Sequence, residues 1–156
     1  MIETLEKTGI RKAEYKDTDS ILLLIMEFYE ESLKEYGLSF DEDTLRETIK
    51  SFIDNHILLV AEEYGKIAGL IGGLIANSNF DKRQKVAQEF MWYVTKEKRQ
   101  GTIGIRLLKT FEKKCKELGA DFISMISMAN LEFDKLDNYY RIKNFKLTEI
   151  HYLKGV

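Results

Sequence analysis

The stretch that decides the fold runs Val94-Thr95-Lys96-Glu97-Lys98-Arg99-Gln100-Gly101-Thr102-Ile103-Gly104-Ile105-Arg106-Leu107-Leu108-Lys109. Upstream of it, Ala87 to Val94 (A-Q-E-F-M-W-Y-V) is rich in aromatic residues and predicts a strand. Downstream the apolar period changes. Ile103, Leu107, Leu108, Phe111, Cys115 and Leu118 fall on one helical face, and Gly119 ends the helix. Between strand and helix, the amides from Gln100 to Gly104 are the unpaired donors of a helix start, and with the helix dipole they form an anion site. Gly101 and Gly104 permit tight curvature and close approach of a ligand. Lys96, Lys98, Arg99, Arg106 and Lys109 surround this loop and suit a polyphosphate.

Working outward, Gly9 to Tyr15 alternates apolar and charged residues and predicts a short strand. A helix follows, capped by Asp17 or Thr18, with Asp19 in its first turn and a stripe of Ile21, Leu24, Ile25, Phe28 and Tyr29 up to Gly37. Asp41-Glu42-Asp43 opens a second helix carrying Leu45, Ile49, Phe52 and Ile53. Ile57 to Glu62 and Lys66 to Ala76 read as strands joined by a tight hairpin at Tyr64-Gly65. Gly69, Gly72 and Gly73 within the second of these predict bulges or close approach of another backbone. Asn77 to Lys85 is a polar loop. Beyond Gly119, Asp121 to Met128 predicts a strand, Leu131 to Arg141 a helix, and Phe145 to Leu153 a last strand that closes the sheet. The order β-α-α-β-β-β-α-β-α-β, with no linker and no repeat, reads as one α/β domain over residues 1–156.

A chain of 156 residues is long enough to bury a core without staples. Its net charge of −2 supplies no basic field for nucleic acid or an anionic membrane surface. One cysteine, Cys115, excludes an internal disulfide and fits a reducing compartment. No apolar run approaches the roughly 20 residues of a membrane span, and Met1 to Arg11 lacks the apolar block of a signal peptide, so the expected location is the cytoplasm. His56 and His151 have no metal-ligand spacing, and no metal is expected. Cys115, on an apolar helical stripe, reads as an inert buried thiol.

The loop V-T-K-E-K-R-Q-G-T-I-G-I-R-L-L-K resembles the acetyl-CoA loop of the GNAT superfamily of N-acetyltransferases, R/Q-x-x-G-x-G/A followed by a leucine pair. Arg99 takes the first position, Gly104 the last and Leu107-Leu108 the pair. Thr102 stands at the family's first glycine, with Gly101 one residue earlier, and the usual proline after the strand valine is absent. Ile10-Arg11-Lys12-Ala13 followed by Asp19 looks like the family's opening strand and first helix. Tyr140-Arg141-Ile142-Lys143-Asn144-Phe145 is similar to its Y-x-x-x-G-F signature, with Asn144 in place of glycine. Asparagine is a reasonable substitute there, because it tolerates the left-handed conformation of a helix end.

The resemblance implies a GNAT-like (acyl-CoA N-acyltransferase) α/β fold. Its mixed, mostly antiparallel sheet has six to seven strands, about four flanking helices, and a splay at the acetyl-CoA site. It implies direct transfer of an acetyl group from acetyl-CoA, as co-substrate, to a primary amine of a small molecule or protein. Trp92 and Val94 would lie alongside the pantetheine arm, and Arg99, Gln100, Gly101, Thr102, Ile103 and Gly104 would hold the pyrophosphate. Tyr140 matches the tyrosine that protonates the CoA sulfur; core packing of Tyr140 and a role for neighbouring Tyr139 are the competing readings. Glu89 is the candidate acceptor of the amine proton, against a solvent-facing strand glutamate. The acidic set Glu27, Glu30, Glu31, Glu35 and Asp41-Glu42-Asp43 is a solvated face or a border of an acceptor groove for a cationic amine. Homodimers are frequent among relatives, and the sequence admits one. Two other classes stay open: an inactive acyl-CoA-binding sensor of the same fold, and an unrelated α/β interaction domain.

Overall fold

The computed structural model describes residues 9–156. Residues 1–8, on which the signal-peptide reading largely rests, lie outside the described part. One sheet of five strands runs β1 (Gly9–Lys12), β2 (Ile57–Glu63), β3 (Lys66–Asn77), β4 (Lys85–Val94) and β5 (Phe122–Ser124), in that spatial order. The first three pairings are antiparallel, and β4 with β5 is parallel. Helix α1 (Thr18–Phe28) continues through a π-helical segment, Tyr29–Leu33, and a 3-10 turn, Lys34–Tyr36, to Gly37, whose φ of 78° ends it. Helices α2 (Glu42–Asn55), α3 (Ile103–Glu117) and α4 (Phe133–Ile142) complete the fold.

The sheet is covered on both faces, which is why β2 reads as an unbroken apolar run. Leu58 and Val60 face the stripe of α1 and α2 with Ile21, Ile25 and Phe52, while Ile57, Leu59 and Ala61 face Leu107, Leu108 and Phe111 of α3. Tyr64 (φ 51°) and Gly65 (φ 75°) are both left-handed, the two-residue turn that matches strand twist. Asp41 caps α2 by accepting the Thr44 amide at 2.8 Å, worth about 1 kcal/mol. At α1 the expected cap is absent. Asp17 is buried instead and takes both Arg11 terminal nitrogens, at 2.7 and 2.8 Å, with the Glu14 amide at 2.8 Å.

Gly73 shows why β3 needs glycine: a Cβ there would sit 2.6 Å from Phe111 Cζ and 2.7 Å from Gln88 O. Opposite, the register breaks. Gly73 pairs with Glu89 but Gly72 with Met91, so Phe90 is the extra residue of a bulge. Ala87 faces α3 before the bulge, and Trp92 and Val94 after it, so the inward-facing positions change from odd to even. Phe90 instead stacks on Phe52 of α2, with ring centroids 4.9 Å apart.

Two expectations are corrected. The sheet has five strands among the described residues, not six to seven, and Phe145 to Leu153 forms none of them. Among the described residues no strand pairs with this segment, and its Leu147, Ile150, Tyr152 and Leu153 side chains are exposed. The strand expected over Asp121 to Met128 shrinks to Phe122–Ser124, because Ile126 spends its backbone groups on side chains, as described next. Among the described residues, no helix is long and apolar enough to cross a membrane.

Candidate active site

β5 touches β4 over three residue pairs, Val86 with Phe122 through Gln88 with Ser124. Beyond Gln88 that edge of β4 has no strand partner among the described residues, and the two strands part. The Thr95 amide donates to Ala68 O at 2.9 Å, toward β3. Peptide groups alternate along a strand, so those of Trp92 and Val94 point the other way, to the open edge. Val94 O on that edge accepts Arg99 Nε at 2.9 Å.

Where the strands part, a carboxylate takes the place of the ladder. Glu89, 3% exposed, accepts the Ile126 amide on Oε2 at 2.8 Å. From the other side the Tyr140 hydroxyl donates to Ile126 O at 3.1 Å. Glu89 and Tyr140, 51 residues apart in sequence, thus grip one peptide residue. Burial pushes the Glu89 carboxyl up to about 7, against the opposing pull of the Ile126 amide. Burial, then the nearby Glu89 charge, raises the Tyr140 phenol far above its ordinary range, so it stays protonated. Tyr139 differs: it faces the charge of Glu112 and carries Lys143 Nζ 5.8 Å over its ring. Asn144 adopts the left-handed conformation (φ 65°), and the Phe145 amide closes the end of α4 on Tyr140 O at 2.9 Å. The Phe145 ring then packs 5.5 Å from that of Tyr140.

Helix α3 starts open. Thr102 makes no side-chain cap and the first turn holds no acid, in contrast to α2. The first helical bond is from the Arg106 amide to Thr102 O at 3.0 Å, so the amides of Ile103 to Ile105 precede the helical ladder. Gln100, Gly101 and Thr102 are exposed, whereas the Ile103 side chain is buried and offers only its amide. A Cβ on Gly104 would meet Trp92 Cζ2 at 3.5 Å. The indole lies between this helix start and the rings of Tyr139 and Tyr140, at 6.4 and 6.1 Å, and its Nε1 is buried without a partner. Uncapped amides and an orphaned donor beside one cleft suit an anionic, hydrogen-bonding ligand.

The Arg99 side chain does not project into that cleft. Its terminal nitrogens donate to both Glu31 oxygens, at 2.8 and 2.9 Å, and its Nε holds Val94 O. The Tyr93 hydroxyl also donates to Glu31, and Arg99 lies 5.0 Å over the Tyr93 ring. Burial raises the Glu31 carboxyl, but the bonds from Arg99 and Tyr93 outweigh it and hold the group below its usual range. Most of the acidic set expected to border a groove is similarly committed: Glu30 to Lys34, Glu35 to Asn130, Asp41 to its cap and Glu42 to Arg46.

The family model described as "Acetyltransferase (GNAT) family" matches residues 25–140. The chain belongs to the GNAT acetyltransferase family. Solved structures agree on the GNAT fold. The ribosomal-protein-alanine N-acetyltransferase of Brucella melitensis superposes with a TM-score of 0.77 at 13% identity, over 97% of this chain and 100% of that one. An aminoglycoside acetyltransferase from an uncultured soil metagenomic sample, in complex with sisomicin, gives 0.74 at 17%, over 99% of each. Glucosamine-6-phosphate N-acetyltransferase from Arabidopsis thaliana gives 0.70 at 20%, over 96% and 99%. No curated protein sequence matches the chain.

Within this GNAT chain, Ile126 and Asn130 escaped sequence reasoning, and Glu31, read there as part of a solvated or groove-bordering acidic set, was not foreseen as the partner of Arg99. Ile126 acts through its backbone, and no side-chain pattern signals that. Glu31 is one of several acids on its helix, 68 residues from Arg99. Asn130 lies in a loop with no local signature. Among the described residues no cluster of His, Cys, Asp and Glu could hold a metal ion, and Cys115 is sealed in the α3 core, its thiol pushed up to about 11 by burial.

Proposed function

We propose that the chain, acting as one domain over residues 1–156, transfers an acetyl group from acetyl-CoA to a primary amine. The observation that carries this reading is the meeting of Glu89 and Tyr140 on Ile126, where β4 and β5 part beside the uncapped start of α3. The amides of Gln100 and of Thr102 to Gly104 hold the pyrophosphate, while the Gly101 amide closes the preceding turn on Lys98 O at 3.3 Å. Arg99 serves that loop by anchoring it, and the open-edge groups of Trp92 and Val94 guide the pantetheine arm. The family name and amine-acetylating neighbours such as the aminoglycoside and glucosamine-6-phosphate enzymes support N-acetylation.

Glu89, half ionised near neutral pH, takes a proton from the substrate ammonium, whose reference pKa is about 10.4 for a lysine. The freed amine forms the C–N bond as the C–S bond breaks. Tyr140 turns its hydroxyl hydrogen from Ile126 O to the departing sulfur and donates it; of the two protons left on the former ammonium, one restores the phenol and the other stays as the amide N–H. The products are an amide, free CoA thiol and one proton, which leaves through Glu89. A thermal-shift titration with acetyl-CoA, followed by a thiol-release screen over polyamines, aminoglycosides, amino acids and peptides, tests the proposal. A raised melting temperature with turnover of an amine is expected. Binding without turnover across the panel identifies an acyl-CoA sensor instead, and no thermal shift overturns acetyl-CoA as substrate.

A further inference from the structure

The two walls of the cleft are held by the same continuation of α1, residues 29–36. One wall is β4 and the loop after it. Arg99 in that loop meets Glu31 through two bonds, at 2.8 and 2.9 Å, with Tyr93 of β4 on the same carboxylate. The other wall is β5 and the loop after it. Asn130 in that loop donates through Nδ2 to Ser32 O at 2.9 Å and to Glu35 Oε2 at 2.7 Å. Glu31 and Ser32 both belong to the π-helical segment Tyr29–Leu33. Such a segment inserts one extra residue into a helix and redirects its side chains and carbonyls, and it is commonly tied to a functional site. Ser32 is fully buried, its hydroxyl bonded back to Phe28 O at 2.7 Å within the same helix.

We propose that this π-segment is a strut that sets the separation of the two walls, with Glu31 and Asn130 as positioning residues for the acetyl-CoA loop. The inference rests on the acetyl-CoA reading above and adds what fixes the geometry of that site. The Arg99–Glu31 side chains are 14% and 26% exposed, and a planar guanidinium gripping both carboxylate oxygens has one orientation. The same guanidinium holds Val94 O, so a change at Glu31 reaches the open edge of β4 directly. On the far wall, releasing Asn130 frees the loop four residues beyond Ile126, the residue that Glu89 and Tyr140 share.

The test compares the full-length wild-type chain with Glu31→Gln and Asn130→Ala. Ligand-free hydrogen exchange is expected to quicken at residues 99–104 in the first and at 125–130 in the second. KM and Kd for acetyl-CoA are expected to rise about tenfold in each, while kcat at saturation and the amine KM change less than twofold in Glu31→Gln. Arg99→Lys, which keeps the charge but not the two-pronged contact, is expected to match Glu31→Gln and to add nothing to it in the double variant. It carries the test alone if Glu31→Gln does not fold. Wild-type exchange and acetyl-CoA affinity in these variants overturn the strut, as does a fall in kcat with KM unmoved. A wild-type chain that binds no acetyl-CoA overturns the proposed function, and the ligand-free exchange then still decides whether the strut exists.

Discussion

Replacing Glu89 with glutamine should produce a stability difference that depends on pH. The carboxyl moves from an ordinary value of 4.5 to about 7 on folding, chiefly because it is buried. Each pH unit of that displacement is worth about 1.36 kcal/mol, so the ionised side chain costs the folded state about 3 kcal/mol. The folded value lies above the unfolded one, so the folded chain holds the proton longer. The cost is therefore absent below about pH 4.5, grows as pH rises, and is complete above about pH 7. Glutamine keeps an oxygen for the Ile126 amide and never ionises. Any mispairing of its NH2 is a constant offset, and the other carboxylates titrate in both chains and cancel. Urea unfolding of both proteins at pH 4.5, 6, 7 and 8 should show Glu89→Gln gaining about 3 kcal/mol on wild type between the ends of the series. In parallel, the fall of kcat/KM below about pH 7 should vanish in the variant, with a loss of about 10² or more in rate. A stability difference that is flat with pH refutes the buried-acid reasoning. An unchanged rate and pH profile refutes Glu89 as the base.

Tyr140→Phe should lower kcat by about 10² with acetyl-CoA affinity intact, and cost about 1 kcal/mol because Ile126 O loses its donor; kinetics and a urea melt read the two effects separately. Gly73→Ala should lower Tm by roughly 5 °C, since its Cβ would sit 2.6 Å from Phe111 Cζ. Gly101→Ala, with Lys98 O nearest at 3.6 Å, should leave Tm unchanged in the same calorimeter. Arg11→Met should cost about 3 kcal/mol at pH 7 by leaving the buried Asp17 charge with the Glu14 amide but no cation, a modest value because Arg11 keeps 28% side-chain exposure. Arg11 holds the Asp17 carboxyl below its ordinary 3.8, so this contribution is present above that pH and fades as pH falls; unfolding at pH 3 should show the gap to wild type narrowed.

Local signals predicted most of the architecture. The Tyr64-Gly65 hairpin, the Asp41 cap, the switch from strand to helical period at Val94 to Ile103, and Asn144 as a left-handed helix end all rest on residues within a few positions of one another. Such features follow from backbone sterics and nearest-neighbour hydrogen bonds, which the sequence states directly. The same holds for the turn from β4 into α3, which the sequence marks by two glycines after an aromatic strand.

Other features needed the assembled sheet. A strand exists only where a neighbour supplies hydrogen bonds. The apolar stretch from Phe145 to Leu153 therefore stays outside the sheet, and β5 stops where Ile126 turns to Glu89 and Tyr140. The bulge at Phe90 reverses which residues of β4 face α3, a change that no fixed period foresees. Glu89 reads as a strand glutamate until α3, α4 and Ile126 close over it. Arg99 reads as a phosphate ligand until Glu31 takes its guanidinium. By itself, then, the sequence determined the order of elements as far as α4, the start of α3 and the family, because these depend on neighbours along the chain. Only the tertiary structure decided the number of strands, the ionisation of Glu89 and the partner of Arg99. Those depend on burial and on contacts between residues tens of positions apart.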